Sequence, residues 1–345
     1  MNLSECLSYD DVLLVPQYSD IKSRADINIG VELDTQHSFL LPIVASPMDT
    51  VSETDMAIKM GKLGAMAILH RYNTVEKQVE MVKTVRKELP EDLPVAAAIG
   101  VTGDYLERAE MLVAAGATIL CLDVAHGHHT LMKDALFSLK CKLSDEVHLM
   151  AGNIATREGF EDLVVWGADS VRVGIGGGSI CSTRIQTGHG VSTLQSVMEC
   201  SEVSRLSGVG MIADGGIKNS GDMVKALAAG AQMVMVGSLL AGTIETPGEA
   251  IKNKDGHEYK VYRGMASKEA QMKWRGKTSS LEGISAFVPC KGPASQVVHE
   301  LETGIRSGFS YSGARNINQL HLNAKFIKQT NASIGESGTH ILKSN

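Results

Sequence analysis

The sequence has no apolar run that approaches the roughly 20 residues needed to span a membrane, and its first residues, MNLSECLSYDDVLL, lack the charged and apolar regions of a secretory signal. It also has no excess of basic residues, with 33 Lys and Arg against 39 Asp and Glu and a net charge of -6. Such a balance provides no long-range attraction for nucleic acid or anionic membranes. We therefore expect a cytoplasmic protein without a nucleic-acid or membrane partner, which captures an anionic ligand by local contacts.

Closely spaced cysteine pairs are absent as well. The six cysteines show no CxxC spacing, which argues against a zinc motif and against a dense disulfide framework. We expect most of them to be buried, reduced thiols. Cys181 differs from the others because a glycine-rich segment precedes it and Ser-Thr-Arg follows it.

What the sequence does contain is a series of short apolar segments of strand length. Eight of them recur along the chain: LPIVASPM (41–48), GAMAILH (64–70), VAAAIG (95–100), ILCLDV (119–124), HLMAGN (148–153), SVRVGI (170–175), GMIADGG (210–216) and MVMVGS (233–238). Continuous apolar strands indicate burial on both faces, as in a parallel sheet. Stretches of helical periodicity lie between them, at 75–89, 105–115, 160–166 and 222–229, which is the alternation of βαβ units.

Eight strand-and-helix repeats of this length predict a (β/α)8 TIM barrel rather than an open doubly wound sheet. Gly-Ala pairs, such as Gly116-Ala117, precede several strands and suit the tight turn from a helix into a barrel strand. Although 345 residues could form two domains, barrels often exceed the usual domain size. We expect a single domain whose active site lies at the carboxyl ends of the strands.

The most informative segment is residues 174–190, where four glycines within five positions precede Cys181. A dinucleotide-binding fingerprint is disfavoured, because the third glycine of GxGxxG is missing and the strand order is that of a barrel. The glycines instead predict a loop that presents backbone groups to an ion or phosphate. Cys181 would then be a nucleophile at the mouth of the barrel, provided that its surroundings favour the thiolate.

A second cluster follows the last two predicted strands. Asp214-Gly215-Gly216 and Gly237-Ser238 occupy positions where barrels often bind phosphate through backbone amides. A carboxylate such as Asp214 can accept two hydrogen bonds from a ribose diol. Together these residues predict a nucleoside monophosphate site.

Motifs along the chain resemble, in order, those of the IMP dehydrogenase and GMP reductase superfamily. The similarity extends to about position 327 and includes YDDVLLVPQYSDIKSR, ASPMDTVSE, the cysteine loop, DGGIKNSGDMVKALAAGA, VGSLLAGT, YRGMAS, VPCKGP and GIRSGFSYSGARNI. The resemblance implies a catalytic barrel over residues 1–328, with an N-terminal extension and a flap near 266–290, followed by a polar, loosely ordered tail at 329–345. No CBS insertion is expected, since residues 89–95 leave no room for the regulatory modules that dehydrogenases usually insert.

Several features resemble the reductase branch. These are CSTR with TGHG, LDVAHG, MASKEAQMKW, and a flap of only 16 residues between Met265 and Glu282 without the water-activating Arg-Tyr pair of dehydrogenases. The resemblance implies that Cys181 attacks carbon 2 of GMP, that ammonia leaves, and that NADPH reduces the covalent thioimidate to give IMP. Thr183 and Glu282 are implied as the proton-transfer pair, which fits the need to protonate a departing amine.

The resemblance also implies the remaining site residues. Substrate contacts fall on Ser46, Met48, Ser179, Asp214, Gly215, Gly216, Gly237, Ser238, Gly264, Met265 and Ala266. Cofactor contacts fall on Ser23 and Arg24, contributed by a neighbouring subunit, and on Asp123, Val124, Ala125, Asn153, Ile175 and Gly176. A monovalent cation such as potassium is implied at the carbonyls of Gly176, Gly178 and Cys181, and the assembly is implied to be a homotetramer.

The sequence departs from the reductase pattern directly before Glu282. Reductases have Arg-Ala-Ser there, whereas this chain has Ser279-Ser280-Leu281, so Arg263 or Arg275 would have to replace the missing contact to the purine. EGIS at 282–285 and VPCKGP are more similar to dehydrogenases. The alternatives are therefore an IMP dehydrogenase-like enzyme without CBS modules and a reductase of a related 2-substituted purine nucleotide. A non-catalytic nucleotide-binding protein and a sugar-phosphate isomerase are the remaining hypotheses.

Overall fold

The computed structural model describes residues 3–278 and 281–338, and within them eight parallel strands close into a barrel. The closure is direct: β4 to β11 pair in sequence order, and β11 pairs with β4 through Val234 opposite Ile43 and Val236 opposite Ala45. The barrel strands are β4 (Ile43–Ala45), β5 (Met66–Leu69), β6 (Ala96–Ile99), β7 (Ile119–Asp123), β8 (His148–Ile154), β9 (Ser170–Val173), β10 (Gly210–Asp214) and β11 (Met233–Val236). Each lies within its predicted segment or passes it by one residue, so the predicted TIM barrel is confirmed.

Helices cover the outside of the barrel and follow its strands. Most begin at a side chain that caps the first turn, as Thr74 does by accepting a hydrogen bond from the Lys77 amide, which satisfies an otherwise unpaired backbone donor. Their bounds are α1 (Thr54–Lys62), α2 (Val75–Glu88), α3 (Tyr105–Ala114), α4 (Thr130–Lys142), α5 (Arg157–Val165), α6 (Thr183–Thr187), α7 (Thr193–Ser207), α8 (Ser220–Ala228), α9 (Lys268–Arg275), α10 (Ala294–Tyr311), α11 (Ile317–Asn323) and α12 (Asn331–Glu336). The four helical stretches predicted from periodicity correspond to α2, α3, α5 and α8.

The amino end of the barrel is closed by a hairpin of β2 (Val31–Glu32) and β3 (Ser38–Phe39). Val31, Leu33 and Phe39 pack in one cluster with inward-facing residues of the barrel strands, such as Ile68 and Met150. The hairpin therefore plugs the end of the barrel opposite to the carboxyl ends of its strands.

The predicted flap is more ordered than a loop. An antiparallel sheet joins β12 (Ile251–Lys252), β13 (Glu258–Arg263) and β14 (Ser285–Pro289), and α9 lies between the last two strands. The segment 264–284 thus connects β13 to β14, and the sheet holds both ends of this segment.

The predicted tail, residues 329–345, begins directly after a strand that pairs with the N-terminal segment, and its loose order stays a prediction. β15 (Phe326–Lys328) pairs antiparallel with β1 (Val12–Leu14), the Gln329 amide donates to the Asp11 carbonyl, and α12 follows. The start of the tail is therefore joined to the N-terminal segment, while residues 339–345 lie outside the described part. Among the described helices, none is long and apolar enough to cross a membrane.

Candidate active site

A cavity of about 740 Å³ opens at the carboxyl ends of the barrel strands. Its walls contain all three predicted catalytic residues, every predicted substrate contact, and six of the eight predicted cofactor contacts. Only Ser23 and Arg24 are not brought there by this chain, because both are exposed near a short 3-10 helix, where Ser23 caps the Ala25 amide. Their predicted role depends on a second subunit and stays a prediction.

Cys181 lies on the loop after β9 and is half-buried in the cavity wall. Its thiol donates a hydrogen bond to Thr183 Oγ1 over 3.1 Å, and its amide donates to the Gly178 carbonyl over 3.1 Å. Thr183 is the first residue of α6. The loop therefore places a thiol and a hydroxyl side by side at the mouth of the barrel.

The other cysteines are not equivalent to Cys181. Burial raises the pKa of Cys121 to about 11 and that of Cys200 to about 12, so both stay protonated at neutral pH. The expectation that most cysteines are buried is wrong, because Cys6 and Cys141 are exposed and Cys290 is partly exposed. All six are free thiols, as predicted.

The flap holds the cysteine loop through its backbone. The Ser182 amide donates to the Glu282 carbonyl over 2.9 Å, and the Ile284 amide donates to the Ile180 carbonyl over 3.0 Å. Gly283 lies between these bonds, and a Cβ there would come within 2.9 Å of the Ser267 amide. This close approach brings the Glu282 side chain into the same cavity wall as Cys181 and Thr183.

The glycines of residues 174–178 allow two loops to pack backbone against backbone. Gly174 has φ +147°, and a Cβ there would lie 2.0 Å from the Asp214 carbonyl oxygen. Gly215 has φ +94°, and its Cβ would lie 3.0 Å from the Gly178 amide. Side chains cannot be accommodated at either position, so glycine brings the cysteine loop and the loop after β10 together.

A buried ion-pair network lies beneath these loops. Arg172, on the inner face of β9, donates to Asp123 Oδ1 over 2.7 Å and to Asp214 Oδ2 over 2.8 Å. Asn153 Nδ2 also donates to Asp214 Oδ2, over 2.7 Å. Burial raises the pKa of Asp123, but the positive charges of Arg172 and Arg71 lower it by a larger amount. The pKa of Asp123 therefore lies below its ordinary value. The network keeps Asp123 ionised and fixes Asp214 in the cavity wall.

Polar atoms without a protein partner point to a ligand in this cavity. Within the described residues, Tyr9 Oη, Ser46 Oγ and Asn153 Oδ1 are buried and make no hydrogen bond, although all three residues line the cavity. Unpaired buried polar groups are costly, and a polar ligand would satisfy them. Burial raises the pKa of Tyr9, with the charges of Asp222 and Asp214 adding to it, so its hydroxyl remains a neutral donor.

Ser46, Gly237 and Tyr262 form a compact polar corner of the cavity. A Cβ on Gly237 would lie 2.8 Å from Tyr262 Oη and 3.0 Å from Ser46 Oγ. Tyr262 Oη also lies 3.4 Å from Ser179 Oγ. Hydroxyl groups from two loops and from β13 thus converge beside the backbone of Gly237, an arrangement suited to phosphate oxygens.

An aromatic group lines another side of the cavity. The Tyr72 and Trp274 rings meet edge to face at 5.0 Å, and the Arg71 guanidinium lies 5.1 Å and 5.5 Å from their centres. Arg71 also donates to the Asp123 carbonyl over 2.9 Å. Trp274 belongs to α9, so this contact attaches the flap to the barrel.

One residue expected near the purine lies elsewhere. Arg263, expected to replace a missing purine contact, is paired with Asp49 and is not part of the cavity wall. The Arg275 side chain and Ser279 and Ser280 lie outside what the structure describes.

Sequence reasoning assigned no site role to several residues of the cavity wall, namely Tyr9, Tyr72, Arg172, Tyr262 and Trp274. Tyr9 and Tyr262 lie in motifs that carried the family resemblance, YDDVLL and YRGMAS, and position within those motifs was the available signal. Arg172 is an arginine within an apolar strand, which is an unusual placement for a charge.

Comparisons with known proteins agree with this geometry. The family model described as "IMP dehydrogenase / GMP reductase domain" matches residues 6–340. The chain belongs to this family. Its members are oxidoreductases that act on purine nucleotides with a nicotinamide cofactor.

The chain is similar both to IMP dehydrogenases and to GMP reductases. It is 34% identical to an inosine-5'-monophosphate dehydrogenase of Nitrosopumilus maritimus over 99% of each chain, and 33% identical to a GMP reductase of Leishmania major over 98% of this chain and 97% of the relative. These alignments extend over 473 and 479 positions, more than the 345 residues of this chain. The relatives therefore contain inserted residues that this chain lacks, in agreement with the predicted absence of a CBS insertion.

A solved structure matches the whole fold. It is a GMP reductase variant of Trypanosoma brucei in complex with guanosine 5'-monophosphate, with a TM-score of 0.92, 31% sequence identity, and coverage of 99% of both chains. The barrel of this family member therefore has the architecture of a protein that binds a purine nucleotide.

Proposed function

We propose that the protein catalyses the NADPH-dependent reductive deamination of GMP to IMP and ammonia. The observation that supports this most directly is the position of Cys181: its thiol is hydrogen-bonded to Thr183, it faces the same cavity as Glu282, and it is held there by the flap. Such a thiol can form a covalent intermediate that divides one difficult step into two.

The proposed chemistry begins with addition of the Cys181 sulfur to carbon 2 of GMP. The carbon–nitrogen bond then breaks, and the amine leaves as ammonia after it gains a proton through Thr183 and Glu282. This leaves a thioimidate on Cys181. When bound, NADPH supplies the hydride that adds to carbon 2; the carbon–sulfur bond then breaks, and the thiol regains its proton as IMP forms.

The cavity provides suitable surfaces for both molecules. We assign the phosphate to the corner formed by Ser46, Ser179, Gly237, Ser238 and Tyr262, and the ribose to Asp214. The base lies along Met48 and residues 264–266. The cofactor is assigned to the wall formed by residues 123–125, 153 and 175–176, where the unpaired Oδ1 of Asn153 is available for a polar contact. A potassium ion is assigned to the carbonyls of Gly176, Gly178 and Cys181 in the same loop.

The short flap favours the reductase reaction over the dehydrogenase reaction. Hydrolysis of a covalent intermediate requires an activated water, and no Arg-Tyr pair occurs among the 16 residues between Met265 and Glu282. The second candidate is an IMP dehydrogenase-like enzyme or a reductase of a related 2-substituted purine nucleotide. It is favoured by the similarity to dehydrogenases and by Ser279-Ser280-Leu281 in place of Arg-Ala-Ser.

The test supplies GMP with NADPH and, separately, IMP with NAD, and follows the absorbance of the reduced nicotinamide. We expect oxidation of NADPH with GMP, one ammonia released for each NADPH, and no reduction of NAD with IMP. The Cys181→Ala variant should lose turnover but still bind GMP, whereas Cys141→Ala, at an exposed cysteine remote from the cavity wall, should resemble the parent. Reduction of NAD by IMP, or normal turnover of Cys181→Ala, would contradict the proposal.

Cytoplasmic location and a homotetrameric assembly remain predictions from the sequence. A homotetramer would allow Ser23 and Arg24 to reach the cofactor of a neighbouring subunit, since both are exposed in this chain.

A further inference from the structure

A cluster of two histidines and one aspartate lies at the plugged end of the barrel, opposite to the active-site cavity. Asp34 and His37 belong to the turn between β2 and β3, whereas His148 is the first residue of β8. His37 Nδ1 lies 2.8 Å from Asp34 Oδ2, and His148 Nδ1 lies 2.5 Å from the same oxygen. Nitrogen atoms of two imidazole rings therefore converge on one carboxylate.

We propose that Asp34, His37 and His148 form a zinc site that fastens the hairpin plug to the barrel. Two imidazole nitrogens and one carboxylate oxygen are a common donor set for this ion, with bonds of about 2.0–2.2 Å. Magnesium and calcium prefer oxygen donors alone. The ligand atoms of the three residues all lie within 4.8 Å of one another, close enough for one ion to contact all three.

The surroundings of the cluster fit metal binding. His148 is fully buried, and its other ring nitrogen, Nε2, lies 2.7 Å from Ser170 Oγ. In metal sites, a hydrogen bond at the ring nitrogen that does not bind the metal orients the imidazole. The side chain of Asp34 is 29% exposed, so a water molecule can reach the fourth coordination position from solvent.

Binding requires a small movement. Tetrahedral bonds of about 2.1 Å place ligand atoms about 3.4 Å apart, which exceeds the 2.5 Å and 2.8 Å distances between the histidine nitrogens and Asp34. Asp34 and His37 lie on a hairpin turn, which can move outward by this amount, whereas His148 is fixed in the barrel. Hydrogen bonds hold the cluster together without metal. When zinc binds, the proton on each Nδ1 atom moves to Nε2 of the same ring or is released to solvent, and the ion takes its place.

The test uses the full chain in a Cys181→Ala background, so that cobalt cannot bind the active-site thiol. After treatment with a chelator and desalting, one equivalent of Co²⁺ should give the visible absorption of a tetrahedral site. Zinc should raise the Tm by about 3–5 °C at 100 times the Kd. His37→Gln should lose both effects, and Ser170→Ala, which keeps all three ligands, should weaken cobalt binding about 10–100-fold.

His128→Gln is the matched control, because His128 also pairs with a carboxylate, that of Asp162, but on the surface and over 2.8 Å. It should keep the absorption and the Tm shift. The proposal is overturned if the background protein gives no tetrahedral absorption, or if the absorption survives in His37→Gln. If His37→Gln does not fold, Asp34→Asn takes its place. The proposal is then overturned if the cobalt absorption survives in Asp34→Asn, or if Ser170→Ala binds cobalt as tightly as the background protein.

Discussion

Arg172 is the residue whose surroundings differ most from what its strand suggests. It is buried between Asp123 and Asp214, and its side chain is only 6% exposed. Burial alone would lower the pKa of Arg172, but the neighbouring Cys121, Asp214 and Asp123 raise it well above the ordinary value. One permanent positive charge therefore balances two carboxylates beneath the active-site cavity.

Replacing Arg172 by methionine should be severely destabilising. The change leaves Asp214 without a cationic partner and Asp123 with Arg71 alone, and breaking a largely buried ion pair in this way costs about 3–5 kcal/mol. Urea unfolding measures the free energy, and the nucleotide affinity should also fall, because Asp214 loses its support. Arg157→Met is the control, since Arg157 makes its ion pairs with Glu161 and Glu202 in solvent; an equal loss in both variants would contradict this account.

The sequence could not predict this network. SVRV has the composition of a buried strand, and the prediction treated it as such. The partners of Arg172 lie 49 and 42 residues away along the chain, and only the closure of the barrel brings them together. By contrast, the positions of Cys181, Asp214 and Gly237 could be predicted, because each stands at the carboxyl end of a strand or in the loop after it, where a barrel places its active site.

At the scale of elements, the contacts between the described part of the flap and the barrel include an aromatic contact of Trp274 and backbone hydrogen bonds of residues 282–284. Trp274 of α9 packs against Tyr72 and Arg71 beside the cavity. Each aromatic or cation–π pair contributes about 0.5–1.5 kcal/mol, so the ordered position of α9 depends on this tryptophan.

Trp274→Ala should therefore weaken the closed arrangement of the flap. A loss of about 1.4 kcal/mol of binding free energy weakens binding about tenfold. We therefore expect the KM for the nucleotide or the cofactor to rise by about that factor. The Tm should change little. Steady-state kinetics provide the measurement. The chain has one other tryptophan, Trp166, which contacts His128 away from the cavity; Trp166→Ala should leave KM unchanged, and a similar rise in both variants would refute the assigned role.

Strands could be predicted where their residues are buried continuously, and not where they are only partly buried. The barrel strands are buried along their whole length, for example Met66–Leu69 and Ala96–Ile99, and their apolar runs were recognisable. β14 alternates between exposed and partly buried residues, so its sequence does not stand out from a loop. The β12–β14 sheet and the pairing of β15 with β1 escaped prediction for the same reason, because both are formed by backbone hydrogen bonds between short strands.

At the scale of the whole molecule, acid should weaken the fold through Asp123. Its pKa is lowered on folding, so the ionised carboxyl stabilises the protein above its unfolded-state value of about 3.9. This contribution is lost as the pH falls through the lower, folded value.

Asp123→Asn tests this dependence, because it removes the titration while keeping the size of the side chain. Between about pH 5 and pH 2, the free energy of unfolding should fall less steeply with decreasing pH in the variant than in the parent. Urea unfolding at several pH values, with chelator present, gives both slopes. Identical slopes would show that Asp123 does not contribute to acid sensitivity.

The hairpin that seals one end of the barrel also limits how reactants can move. With β2 and β3 packed into the interior, the described fold leaves the carboxyl end as the route to Cys181, and both reactants must use it. In the proposed reaction, a nucleotide whose base contacts Cys181 would have to bind before the cofactor, and its product would leave after it. A single entrance thus imposes an order of binding and release that the chemistry alone does not require.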